Sequence, residues 1–173
     1  MLVLLRTVGI FNAAIWLGAG IFFTFGIAPP ASFTPEMKRI FGDYYVGVIA
    51  QNFLSRMFTL QLICGGIALL HFFAEMIYAG RPFRKFTFTL IAVMLGLSLM
   101  GGFVLMPRLK ALHQIKYRGS AQQVPLAKAR FAQLHGLSMA GNLLSLIALV
   151  IYTWHVTHPP DPTRFVGTPK FRG

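Results

Sequence analysis

The sequence predicts an all-α integral membrane protein: four transmembrane helices in an antiparallel bundle, plus one amphipathic interfacial helix. Three observations predict it. The 173 residues are 55% hydrophobic and only 12% charged, with a mean hydropathy of +0.64, whereas soluble domains carry roughly 25% charged residues. Four uncharged runs, Thr7–Ala28, Met57–Ala74, Phe86–Met106 and Phe131–Trp154, each have about the 18 to 24 residues that cross a hydrocarbon layer roughly 30 Å thick. The basic residues stand between those runs. Length and composition allow one compact unit, a membrane domain over residues 1–155.

The first span, about 3–28, follows a short basic start ending in Arg6. A secretory signal has an apolar centre of only about 7 to 15 residues and an A-x-A-like cleavage site. This run is longer and ends in Ala28-Pro29-Pro30, so it reads as a retained helix. Thr34-Pro35-Glu36 then opens a new helix: Thr34 caps it, Pro35 suits its first position and Glu36 complements the positive end of its dipole. Met37, Ile40, Phe41, Tyr44, Tyr45, Val48, Ile49 and Phe53 recur at spacings of three and four, which gives an amphipathic helix over about 35–53. Its natural place is flat in the interface, with a lid over the bundle as the alternative. The second span covers about 54–79. The brief Ala79-Gly80-Arg81-Pro82 link makes it an antiparallel hairpin with the third, about 83–106.

A long link from Pro107 to Ala129 carries Arg108, Lys110, Lys116, Arg118 and Lys128, with Arg130 just beyond and no acid. Its ends read as helical. Pro125 can open a helix that runs through Trp154, roughly 45 Å at 1.5 Å per residue, so its first turns stand in water before the fourth span at about 131–155. The tail, 156–173, is basic and Pro-rich, the composition of a disordered or surface-bound segment.

Sixteen Lys and Arg against four Asp and Glu give a formal charge of +12. Cations placed at the ends of apolar runs face anionic lipid headgroups at about 1 kcal/mol each. The lipid bilayer is therefore the expected partner. Nucleic acid is not, because binding it needs basic residues gathered on a water-facing surface. Four spans put both termini on the same side of a cell or cytoplasmic membrane. The basic residues divide almost evenly between the two faces, with a lean toward a cytoplasmic long link. Cys64 is the single cysteine, which excludes a disulfide frame and a CxxC site.

Polar residues inside the spans need partners, because hydrocarbon offers none. On the second span Gln61, Cys64, Ala68, His71 and Glu75 fall within about 80° at 100° per residue, an inward stripe. His135, Ser138, Asn142 and Ser145 make a similar stripe on the fourth. Asn12 and Trp16 stand at i, i+4 on the first. Ser98 and Gly102 stand at small-xxx-small spacing on the third, with Gly96 and Gly101 nearby. One reading of the stripes is interhelical glue between close-packed helices. The other makes His71 and Glu75 a proton or cation site. Glu75 also lies near the helix end, where a salt bridge to Arg81, Arg84 or Lys85 is the structural alternative.

Two intramembrane histidines invite a b-type haem. His71 lies roughly 8 Å from the middle of its span toward one face, and His135 about 12 Å from the middle of its own toward the other. Both ligands must sit about 2 Å from one iron, so that pair is excluded. A single-histidine haem stays open. No H-E-x-x-H, P-loop, G-x-S-x-G or G-x-G-x-x-G motif points to an ordinary enzyme, and no cofactor or metal is expected.

Phe131-Ala132-Gln133-Leu134-His135-Gly136-Leu137-Ser138, followed by Asn142-Leu143, resembles the F-x-x-x-H-G-L-S-x-x-x-N-L block that opens the last helix of the transmembrane protein 205-like family. Trp16-Leu17-Gly18, and Phe25 through Phe33 leading into Phe41-Gly42-Asp43-Tyr44, resemble that family's other recurrent region. The resemblance implies a four-helix membrane protein, without an established activity. The basic link and the Pro-rich tail depart from the family pattern.

Three functions stay open: a non-enzymatic module that assembles with itself or a membrane partner through small-residue helix faces, a small transporter or proton or cation permeation element, and a haem-binding oxidoreductase. His135 carries the sharpest structural expectation. It should face the bundle and bond to a neighbouring helix near Arg56, Gln61 or the amphipathic helix, because a lipid-facing ring leaves a polar group unpaired.

Overall fold

The computed structural model describes residues 2–28, 33–78, 80 and 82–158. The described residues form five α-helices: α1 (Leu2–Ile21), α2 (Pro35–Tyr78), α3 (Lys85–Met100), α4 (Met106–Arg118) and α5 (Gln123–Thr157). Two π-helical segments, Phe22–Ile27 and Gly101–Leu105, extend α1 and join α3 to α4. Four helical stretches, 3–27, 35–78, 85–118 and 124–157, are long and apolar enough to cross a membrane. Arg81 and the tail from Pro159 onward, for which a salt bridge and a surface role were expected, lie outside the described residues, as do Pro29 and Pro30.

α2 starts as the sequence implies. The Met37 amide donates to the Thr34 hydroxyl at 3.2 Å, and the Lys38 amide to the Thr34 carbonyl at 3.1 Å. Its length differs from the expectation. Instead of ending near residue 53, the helix runs from Pro35 to Tyr78 with one break, at Gly42, whose φ of 73° and ψ of 155° suit a residue without a Cβ. No glycine or proline falls between Gly47 and Gly65, so nothing stops the ladder between the expected interfacial helix and the second span. Gly80, with φ 60°, takes the left-handed conformation just past the end of α2.

The third span also continues where the sequence suggested a stop. Pro107 has no N–H to give to the carbonyl one turn back, yet the helix persists from Lys85 to Arg118. The five residues before α4, beginning with Gly101-Gly102, adopt the wider π geometry, one of the adjustments by which a helix accommodates a proline. The Phe22–Ile27 segment has a similar local cause. The Thr24 hydroxyl donates to the Gly20 carbonyl at 2.7 Å, a side-chain bond that competes with the backbone ladder.

The four long helices pack as a ring in the order α1, α2, α3, α5, while α4 lies against α5 and α2. One core draws on all four: Ala13 and Trp16 from α1, Cys64, Ala68 and Phe72 from α2, Ile91 and Met94 from α3, Leu149 and Tyr152 from α5. Trp16 and Tyr152 meet edge to face at 5.9 Å between centroids. The outer surface is apolar too. Phe11, Leu70 and Leu144 are 65%, 72% and 62% exposed, an arrangement that water opposes and hydrocarbon permits.

Candidate functional site

Most of the polar residues expected to face inward make contacts between helices. The Asn12 amide donates to the Cys64 carbonyl at 2.9 Å, joining α1 to α2 in the buried core. The Ser98 hydroxyl donates to Gln61 Oε1 at 3.0 Å, joining α2 to α3. The Asn142 amide donates to the Thr24 hydroxyl at 2.8 Å, joining α5 to the end of the first span. His71 Nε2 lies 2.9 Å from the Leu5 carbonyl, which makes it a donor from α2 to α1. Each bond satisfies a group that hydrocarbon would leave without a partner.

The close approach of these helices depends on glycine at two places. A Cβ added at Gly9 would stand 2.5 Å from the His71 ring, and one at Gly65 would stand 2.5 Å from Leu95 and 3.2 Å from Trp16. The Ser98–Gly102 row is used inside the chain in the same way. Ser98 bonds to Gln61, and a Cβ at Gly101 would collide with the Phe58 ring.

Toward the start of α3, Glu75 accepts from Arg84 at 2.9 Å, with side-chain exposures of 13% and 22%. His71 Nε2 is 4.0 Å from the other Glu75 oxygen. These residues, with Thr87, Tyr152 and His155, surround a cavity of about 20 Å³, room for about one water. Of the partners expected from sequence, Arg84 is the one that pairs with Glu75 among the described residues.

A second, larger cavity lies between α2 and α5, its lining completed by residues of α3, the π-helical segment and Arg108 of α4. It measures about 280 Å³. Its walls are mostly apolar, among them Phe58, Val104, Leu137 and Leu144, with Gln61, Ser138, Asn142 and Ser145 as the polar side chains and Arg108 at one end. Ser145 is buried, and Ser138 and Asn142 are half-buried. Arg56, expected near the same end, is exposed.

His135 does not follow its stripe. The side chain is exposed and makes no hydrogen bond among the described residues; it stacks on Phe131 at 6.0 Å with 10° between the rings. The bond expected toward Arg56, Gln61 or the amphipathic helix is not formed. Gln61 already accepts from Ser98, and the cavity separates this end of α5 from α2. The face of α5 that turns inward at this level carries Ala127, buried beside α4, and the half-buried Phe131 and Leu134.

His113, which the sequence reading passed over inside a basic link, is the buried histidine at this end. It stacks on Tyr44 at 5.2 Å and touches Tyr117 and Phe131. Gly47 leaves room for its ring, and its Nε2 has no hydrogen-bond partner among the described residues. Arg118 lies 4.6 Å over the Tyr44 ring and Lys116 4.8 Å over Tyr117. Tyr44 stands out in the sequence on the amphipathic face and Phe131 at the head of the last span; the convergence of three elements on His113 does not. Among the described residues no three His, Cys, Asp or Glu side chains stand close enough to hold one metal ion.

Four helices long and apolar enough to cross a membrane, with large apolar side chains on the outer surface, are consistent with a multi-pass helical membrane protein. The particular family follows from the sequence match. A model described as a domain of unknown function, DUF4149, covers residues 11–118, more than half of the chain, and the protein belongs to that family. No curated protein and no solved structure matches the chain. The block from Phe131 to Leu143 lies beyond the matched residues.

Proposed function

We propose that the protein is a non-enzymatic module of the cell or cytoplasmic membrane that works by assembling with itself or with a membrane partner in the plane of the bilayer. In this reading the spans form an antiparallel bundle with both termini on the same side, and the amphipathic face of residues 35–53 meets the interface. Membership of the narrower transmembrane protein 205-like family belongs to the same proposal, supported by the Phe131–Leu143 block.

The observation that carries the reading is a division among the small residues. Gly9, Gly65 and Gly101 are occupied by neighbours within the chain, whereas a Cβ at Gly18, Gly66, Gly96 or Gly136 meets nothing within 4 Å. Gly136 stands between Ala132 and Ala140 at i−4 and i+4, all three exposed on α5. Such a row lets a second helix approach closely. Permeation is the weaker alternative, because Asn12, Gln61, His71, Glu75 and Asn142 are taken up by contacts between chain segments and these two cavities have no lining residue in common.

Crosslinking of the detergent-solubilised full chain tests the proposal. Wild type should give a discrete oligomer or a co-purifying membrane protein, and Gly136→Leu should abolish it while leaving helicity intact. A strictly monomeric wild type with no partner overturns the reading.

A further inference from the structure

We propose that the cavity between α2 and α5 is a lipid site holding one acyl chain of an anionic phospholipid, with the headgroup phosphate at Arg108. This goes beyond assembly and does not depend on it.

The cavity has the depth of one leaflet. Along α3 and its continuation the wall runs from Arg108 to Leu97, and along α5 from Leu134 to Ser145. At 1.5 Å per residue each is roughly 16 Å long. Half of a hydrocarbon layer roughly 30 Å thick is about 15 Å. A chain entering beside Arg108 therefore reaches the level of Leu97 and Ser145 as its own leaflet ends.

The lining fits a chain in the same way. Leu54, Phe58, Val104, Leu137 and Leu144 present carbon along the walls of a space of about 280 Å³. An empty space of that kind forfeits dispersion contacts that methylene groups would restore. The cavity is also shaped by local backbone: Gly101, Val104 and Leu105 belong to the π-helical segment, and a Cβ at Gly141 on the facing wall would meet nothing within 4 Å. π-helical turns recur where helices are opened for function.

Charge selects the headgroup. Arg108 is exposed at the water end of the cavity, and no Asp or Glu occurs from residue 76 through residue 160. The planar guanidinium fork matches phosphate oxygens, and neither of the ion pairs among the described residues involves it.

Native mass spectrometry of the purified full chain in mixed micelles tests the site, with phosphatidylglycerol, phosphatidylcholine and inorganic phosphate as separate probes. Wild type should retain one phosphatidylglycerol per chain, preferred over phosphatidylcholine by about tenfold, and inorganic phosphate should not displace it. Gly141→Leu, which fills the cavity from a position with open space, should weaken both lipids by at least about tenfold. Gly141→Ala, adding one methyl, should keep both lipids and serves as the folded control. Arg108→Gln should weaken phosphatidylglycerol more than phosphatidylcholine, whose phosphate is offset by its own choline cation, and so lose the preference for phosphatidylglycerol. The proposal is overturned by equal binding of the two lipids to wild type, by displacement with phosphate, or by Gly141→Leu or Arg108→Gln behaving as wild type. A dimer that replaces the lipid adduct and is broken by Gly141→Leu would assign the cavity to a second copy instead, and would likewise overturn it.

Discussion

Gly9→Ala is expected to destabilise the fold, although alanine is the better helix former. The new Cβ would lie 2.5 Å from both Cε1 and Nε2 of His71, about 1 Å inside ordinary contact. Nε2 cannot retreat by that amount and keep its 2.9 Å bond to the Leu5 carbonyl. Losing that bond costs about 0.6 to 1 kcal/mol, and overpacking adds about 1 to 3 kcal/mol. The gain from replacing glycine within a helix is about 0.5 to 1 kcal/mol. The net is a destabilisation of about 1 to 3 kcal/mol. In a His71→Ala background the ring is gone and only the helix term remains, so Gly9→Ala should there stabilise by about 0.5 to 1 kcal/mol. Reversible unfolding in mixed detergent micelles, followed by circular dichroism, gives all four corners of the cycle. A Gly9→Ala effect of the same sign and size in both backgrounds would refute the proposed packing of α1 on α2 through His71.

Ser98→Ala should cost about 1 kcal/mol by removing the donor to Gln61, and adding Gln61→Leu should cost less than the sum of the two single changes, as read by the same unfolding assay. Arg84→Met should cost about 1 to 2 kcal/mol by removing its charge-assisted bond to Glu75; Glu75→Gln, which can still accept from Arg84, should cost less, and equal midpoints for the two would contradict the pairing. His135→Leu and His135→Gln should both leave stability within about 0.5 kcal/mol of wild type, since the ring is exposed.

The sequence by itself determined what could be read one helix at a time. The apolar runs give four helices able to cross a membrane, because hydrocarbon demands about twenty residues without charge whatever packs beside them. Thr34 marks its cap in the same local way, and the spacing of Gln61, Cys64, Ala68 and His71 places them on one buried face. Helix ends were less legible. A proline at 107 reads as a stop, yet the π-helical turn before it absorbs the mismatch, and the expected boundary near 53 has no breaker to enforce it. Tertiary structure alone decided the partners. Asn142 could reach several helices, and only the ring order puts Thr24 opposite it. His135 shares the spacing of Ser145 but not its surroundings: α5 meets α4 on another face at that level, and a cavity stands where α2 would have offered a bond. Periodicity fixes which residues share a side of a helix. Whether that side meets a helix, a cavity or lipid depends on chain segments remote in sequence, as with His113, seated by Gly47 and stacked on Tyr44 from the helix that begins at Pro35.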